Sequence, residues 1–427
     1  MAKRTTVPRL RTAFALLLCA AIASPASAEE NYIESSAGAG AIALGMLDIS
    51  QEGRGTLSED LNSVLVHDLE WPGRFRVLRS ARVEKSRWTA ENVFSFVHGS
   101  YSVSGDSLLL ELELSDLVSM RTVPGMKRVW KIHRKQARRA VHEFADMLAK
   151  QFYGEEGAAT TKVLFVRRGG GKREIWMMDY DGANARQITK DGNVAMLPAW
   201  SADGKTVHYS SFLDGHAALR TIGQGRSASA PLTPKGVHAY GGRESPDGTK
   251  TVYVRETGSS TDLWLMDMKT GKSERLTFHS ATETSPDWSP NGESVVFTSD
   301  RGGRPQLYTI GADGSGEERL TFTGTYVESG VWSPAGDKVA YCAMTEGQFS
   351  LFVLDLATGE TARITSGRGN DESPSWSPDG RMIIFASDRT GVSQLYLIRP
   401  DGTGLVQLTR EGNNAAPRWS PGTQKKE

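Results

Sequence analysis

Cysteine is almost absent: Cys19 and Cys342 are the two in 427 residues. Cys19 lies in a segment that reads as an export signal, so its removal leaves Cys342 alone and excludes an internal disulfide. Stability is therefore expected to come from a packed core. Long apolar runs are missing too. The run from Ala13 to Ala23 is too short to span a bilayer, and nothing later is apolar enough to do so. There is no charge excess, with 50 Lys and Arg against 50 Asp and Glu. That balance excludes a bulk nucleic-acid or membrane-surface binder. Catalytic signatures are also lacking. No G-x-S-x-G elbow, H-E-x-x-H helix or paired C-x-x-C occurs, so neither a serine hydrolase nor a metal centre is signalled.

The chain opens with Lys3, Arg4, Arg9 and Arg11, then the short apolar run, then Ala26-Ser27-Ala28. This is the pattern of a signal peptide over 1–28, cleaved after Ala28. Its loss leaves 46 basic residues against 50 acidic ones. Residues 29–40, small and acidic at the start, read as a mobile arm. The next stretch, 41–155, reads as an α/β domain, 160–422 as a second domain, and 423–427 as a tail.

The second domain is a repeat. QIT, PLT, RLT, RLT, RIT and QLT end at Thr189, Thr233, Thr277, Thr321, Thr365 and Thr409, each 44 residues after the last. W-S-x-x-G copies begin at Trp200, Trp288, Trp332 and Trp376, with a final WSPG at Trp419; Glu244 stands where the missing Trp belongs. Each unit carries a P-x-W strand, a Ser-Pro-Asp-Gly turn, a β-rich run such as SVVFTS (294–299), a Gly hairpin, a strand such as QLYTI (306–310), and a short strand ending in L-T. Four strands in a repeat of this length describe a propeller blade. The first unit, from KVLFV (162–166), lacks its P-x-W strand, and the chain ends with a spare one, Ala416 to Ser420. The spare strand is expected to complete the first blade and close six blades into a ring.

In the first domain IALGMLDI (42–49) is a strand candidate. TLSEDLNSVLVHDLEW reads as a helix with Thr56 and Glu59 in capping-box spacing. VFSFVHGSYSV and LLLELEL form a hairpin, RVWKI is another strand, and a helix is expected from about Gln136 to Phe152 with Gly154 at its cap. The fold class is thus a small α/β domain followed by an all-β six-bladed propeller.

The Ser and Asp of W-S-P-D-G recur around the ring, whereas a catalytic group occurs once, so they are assigned to turn geometry. The tryptophans are expected between blades. Four propeller histidines, His208, His216, His238 and His279, share no spacing. The basic run Lys127, Arg128, Lys131, Arg134, Lys135, Arg138 and Arg139 has only Trp130 as a base-stacking aromatic and reads as a solvated face. The connections from L-T to the next P-x-W (234–242, 278–286, 322–330 and 366–374) emerge on one rim yet differ strongly in sequence. A constant frame with variable loops is how a scaffold presents a recognition surface.

The P-x-W-S-P-D-G, F-T-S-D-R-G-G-x-P-Q-L-Y and R-L-T elements, with SEDLNSVLVHDLEWPGRFRVL and HEFADMLAKQFYG in the first domain, resemble the TolB family of Tol–Pal systems. The resemblance implies a non-enzymatic periplasmic adaptor, a monomer without cofactor or metal, supporting outer-membrane integrity and constriction at division. It implies that the propeller rim binds the peptidoglycan-associated lipoprotein Pal, with His238 and Thr284 matching the family's contact and Ser285 beside them. Glu328, Asp371 and Glu372 join from the same rim. It also implies that the arm, Glu29, Glu30, Asn31, Tyr32 and Ile33, engages TolA of the inner-membrane complex. Two other readings remain open. A glycan lyase or hydrolase would start from Arg243, Glu244 and His238, and a carbohydrate-binding module would use Tyr240 and Tyr326.

Overall fold

In the computed structural model, residues 40–226, 228–258 and 260–422 are described; the expected signal peptide, the arm with Glu29 to Ile33, and the tail lie outside them. The first part of the chain forms a sheet from β1 (Ile42–Leu47), β2 (Ser50–Glu52), β3 (Phe75–Ser80), β4 (Ser95–Ser104), β5 (Ser107–Asp116) and β6 (Thr122–His133). Its order is β3-β1-β4-β5-β6, with β2 on β4. The alternation of LLLELEL drives Leu108, Leu110, Leu112 and Leu114 to the buried face of β5. Helices α1 (Leu61–Glu70), α2 (Lys85–Ala90) and α3 (Ala137–Tyr153) complete the region. Ala137, Ala140, Val141, Phe144 and Leu148 of α3 are buried, and Gly154 ends it in the left-handed conformation at φ 71°.

One expectation is corrected at α1. The capping pair is not Thr56 and Glu59, because the helix starts only at Leu61. Asp60 is its cap, accepting from the Asn62 N–H at 3.0 Å and the Ser63 hydroxyl at 2.6 Å. A carboxylate one residue before the helix reaches the free first-turn donors, which Thr56 stands a full turn too early to do.

From Lys162 on, the chain forms six four-stranded sheets. Blade I joins the C-terminal strand Asn413–Trp419 to Lys162–Gly169, Lys172–Asp179 and Arg186–Gln187, so the last strand closes the ring as the repeat predicts. The innermost strands of blades II to VI are Ala195–Trp200, Ala239–Glu244, Glu283–Trp288, Val327–Trp332 and Asp371–Trp376.

Each repeated marker has a structural cause. The Ser201, Ser245, Ser289 and Ser377 hydroxyls donate to Asp203, Asp247, Asn291 and Asp379, and accept the backbone N–H of Thr206, Lys250, Ser294 and Met382. They lock the turn between the first two strands. In every L-T the threonine hydroxyl accepts a backbone N–H of the third strand, as Thr365 does from Leu351 at 2.9 Å. The indoles stitch blades together. Trp200, Trp288 and Trp376 donate to the carbonyls of Arg418, Arg243 and Val331 in the preceding blade.

Glu244 cannot make that last bond, since a carboxylate only accepts. It instead holds His208 of blade II at 2.6 Å and accepts the Ala202 N–H at 3.2 Å. The blade lacking its Trp is tied to its neighbour by this pair.

The α/β region docks on the turn ends of blades I and VI. Arg74 pairs with Asp379 at 3.3 Å, both side chains buried. Arg399 donates to the carbonyls of Trp71 and Glu70 at 3.0 and 2.8 Å. Arg138 pairs with Asp181 at 2.5 Å, so this member of the basic run is an anchor and not part of a solvated face. Apolar packing is continuous across the junction, from Leu65 and Phe144 to Phe165, Tyr180 and Ile384. In an antiparallel blade, first-to-second and third-to-fourth turns share one face. The L-T to P-x-W connections therefore lie on the opposite face, away from the α/β region.

Candidate functional site

The loop face leads into the propeller axis. Each innermost strand bulges at the same point, where one residue takes positive φ: Leu197 (51°), Gly241 (66°), Ser285 (53°), Ser329 (57°), Ser373 (56°) and Ala416 (46°). The ladder register shifts there in every blade. A left-handed conformation is costly for Leu and Ala, and its repetition marks a bulge imposed by the fold. These six residues line an axial cavity of about 100 Å³. Tyr240 and Thr284 stand on its loop-face side, and Arg243, Asp287 and Arg418 line it deeper along the same strands.

The deep charges form a triad. Arg418 Nη2 pairs with Asp287 Oδ1. The other Asp287 oxygen accepts the Trp332 N–H at 3.2 Å. Arg243 donates through Nη1 to the carbonyls of Pro198 and Gly242 at 3.3 and 3.2 Å, while its Nε stays 4.0 Å from Asp287 and makes no hydrogen bond. Burial, with Arg418 nearby, pulls the Arg243 pKa down to about 9.

Nearer the loop face stand Glu328 and Glu372, half-buried on adjacent blades. Burial, and after it Glu372, raises the Glu328 pKa; burial, and after it Asp388, raises that of Glu372. The Cys342 thiol donates to the Glu328 carbonyl at 3.4 Å, and burial pushes its pKa well up.

The match of the TolB beta propeller domain family to residues 150–423 decides the family. This chain is a member of the TolB family. Among relatives, the Tol-Pal system protein TolB of Anaeromyxobacter dehalogenans is 32% identical over 180 residues, covering 42% of this chain and 40% of that protein. That of Dinoroseobacter shibae is 31% identical over 246 residues, covering 53% and 55%. These matches thus span about half or less of the relatives' length. The crystal structure of TolB from Acinetobacter baumannii shares the fold, with a TM-score of 0.75 over 90% of this chain and 97% of that one, at 22% identity.

Within this TolB-family frame, the expected rim residues fall into two groups. His238 is exposed, stacked on His216 with centroids 5.2 Å apart and 3.8 Å from Glu256. Thr284 and Ser285 line the axial cavity. Glu328 and Glu372 each precede a residue of its wall, Ser329 and Ser373. Asp371 is different. Its side chain is 4% exposed and pairs with Arg389 at 2.8 Å, as Glu283 pairs with Arg301 in blade IV. It is a clasp inside a blade, withdrawn from the surface because the Arg of S-D-R folds back over Phe385 and Tyr396 to meet it.

The three lyase candidates do not come together. His238 precedes and Glu244 ends the strand Ala239–Glu244, a separation of roughly 20 Å in extended chain. Glu244 faces His208 between blades, and Arg243 alone enters the cavity. Tyr326 is exposed beside Phe349 and Tyr240 lines the cavity, so the two aromatics do not form one platform. Asp287 and Arg418 were not singled out from the sequence. Their signal was available: they are the charged x of P-x-W, a position that is Ala199 or Ser375 elsewhere.

Proposed function

We propose that this chain is a non-enzymatic adaptor of a Tol–Pal system, acting in the periplasm after cleavage at Ala28. Its loop face binds the peptidoglycan-associated lipoprotein Pal through His238, Thr284, Ser285, Glu328 and Glu372, with Asp371 holding the Glu372 strand in place. Its arm, Glu29 to Ile33, engages TolA, and the pair of contacts supports outer-membrane integrity and constriction at division. The observation that carries this reading is the position of the variable loops. In a TolB-family propeller that carries the α/β region on its other face, at blades I and VI, they surround the axial opening on the free face.

A pull-down from native periplasm tests it. Wild type is expected to retain Pal, and the double variant His238→Ala with Thr284→Arg to lose it while keeping its melting temperature. Deleting 29–33 is expected to lose TolA and keep Pal. Absence of Pal with wild type would sink the adaptor reading. Glycan turnover dependent on His238 would replace it with a lyase.

A further inference from the structure

We propose that the axial cavity is a carboxylate-binding site, in which the guanidinium groups of Arg243 and Arg418 receive a carboxylate entering from the loop face. Two guanidiniums and one carboxylate, Asp287, face this part of the cavity. Asp287 is already committed, with Oδ1 to Arg418 and Oδ2 to the Trp332 N–H. Arg243 therefore has no counter-charge at hydrogen-bonding distance. Both of its bonds run through Nη1 to neutral backbone carbonyls, and its buried Nε donates to nothing.

A buried cation is costly unless it is paired and hydrogen-bonded. The group that suits a guanidinium short of a counter-charge is a carboxylate, which accepts charge-assisted N–H bonds. Leu197, Pro198, Pro286, Pro374 and Pro417 wall a cavity of about 100 Å³, with room for a carboxylate. Glu328 and Glu372 stand on the loop-face side, one residue before Ser329 and Ser373 of the cavity wall. They disfavour a multiply charged anion over a single carboxylate. That carboxylate comes either from a free small acid or from a polypeptide end or acidic side chain inserted through the loop face. The site does not depend on the Tol–Pal reading.

The test is calorimetric titration of the full mature chain with sodium acetate, against sodium chloride at matched ionic strength. N-acetyl-trialanine with a free C-terminus, and its amide, form the second arm. Wild type is expected to bind acetate one to one. Arg243→Gln, which keeps a polar side chain without the charge, is expected to weaken binding about tenfold or more, the loss of one charge-assisted pair. Arg243→Lys, keeping the charge without the fork, is expected to fall between. Tighter binding of the free-ended peptide than of acetate assigns the site to an inserted polypeptide, and acetate binding alone assigns it to free acids. No heat with wild type, undiminished binding in Arg243→Gln, or chloride competing as well as acetate would each overturn the proposal.

Discussion

Asp287 and Arg418 stand on opposite blades of the ring, IV and I, 131 residues apart in sequence, and pair across the propeller axis. Most contacts in a propeller run between neighbouring blades. This one crosses the channel and obstructs it beneath the loop face. It ties the closing strand Asn413–Trp419 to the blade farthest from it.

Removing the carboxylate of this pair is expected to be expensive. Asp287→Ala leaves two half-buried guanidiniums without a carboxylate and strips the Trp332 N–H of its acceptor. The expected loss is about 3 kcal/mol, the lower end of the cost of orphaning one member of a buried pair. Urea midpoints check it. Adding Arg418→Met should cost less than it does alone, because the unpaired cation disappears; strict additivity would refute the cross-axis coupling.

The L-T threonines should be replaceable by serine and not by valine. Thr365→Val keeps the shape and deletes the hydroxyl that accepts from the Leu351 N–H at 2.9 Å. A buried N–H without a partner costs about 1–3 kcal/mol, whereas Thr365→Ser should stay within about 1 kcal/mol of wild type. Equal losses in the two variants, measured by chemical denaturation, would mean that the methyl group and not the bond explains the repeat.

The ring was legible in the sequence because backbone geometry repeats with the chain. Ser377 and Asp379 make a turn bond, Thr365 caps a strand, and the spare strand at Trp419 completes blade I, all at a fixed period. What periodicity does not carry is what meets across blades or across domains. Asp379 reads as one turn residue among equals, yet it alone of those turns takes Arg74 from the α/β region. Asp371 reads as a rim carboxylate because loop position is visible, whereas the fold-back of Arg389, 18 residues on, is not. The same spacing links Glu283 to Arg301, so the interval itself stands in the sequence.

Glu244 and His208 should behave as one unit. Glu244→Ala leaves the half of His208 that faced it without an acceptor between blades II and III, with an expected cost of about 2 kcal/mol, and His208→Ala alone should cost a similar amount. The double variant should lose clearly less than the sum. Glu244→Trp with His208→Val would rebuild the standard stitch, an indole donating to the Ala199 carbonyl, and should melt above the double alanine variant. If it melts below, the blade is shaped around the carboxylate in more than this bond.

The junction of the α/β region with blade I predicts an alkaline weakness. His142 lies between two carboxylates, with Nδ1 2.7 Å from Asp68 and Nε2 3.3 Å from Asp181. Arg138 also pairs with Asp181, and the Tyr180 hydroxyl donates to Asp68. Burial alone would lower the His142 pKa; Asp68 and then Asp181 outweigh it and raise it to about 10. Burial raises Asp68, while His142 and Arg138 overcome the burial of Asp181 and hold it low. A histidine whose folded pKa exceeds its unfolded value stabilises most below the unfolded value, about 6.5, and that contribution fades as pH climbs toward about 10. Tyr180, raised from 10.0, adds its own loss only above that window. Melting temperature should therefore fall between pH 7 and 10 in wild type. His142→Gln should melt lower at pH 7 and show a flatter slope across the same range. Parallel slopes for the two proteins would mean that His142 is not charged in the folded state.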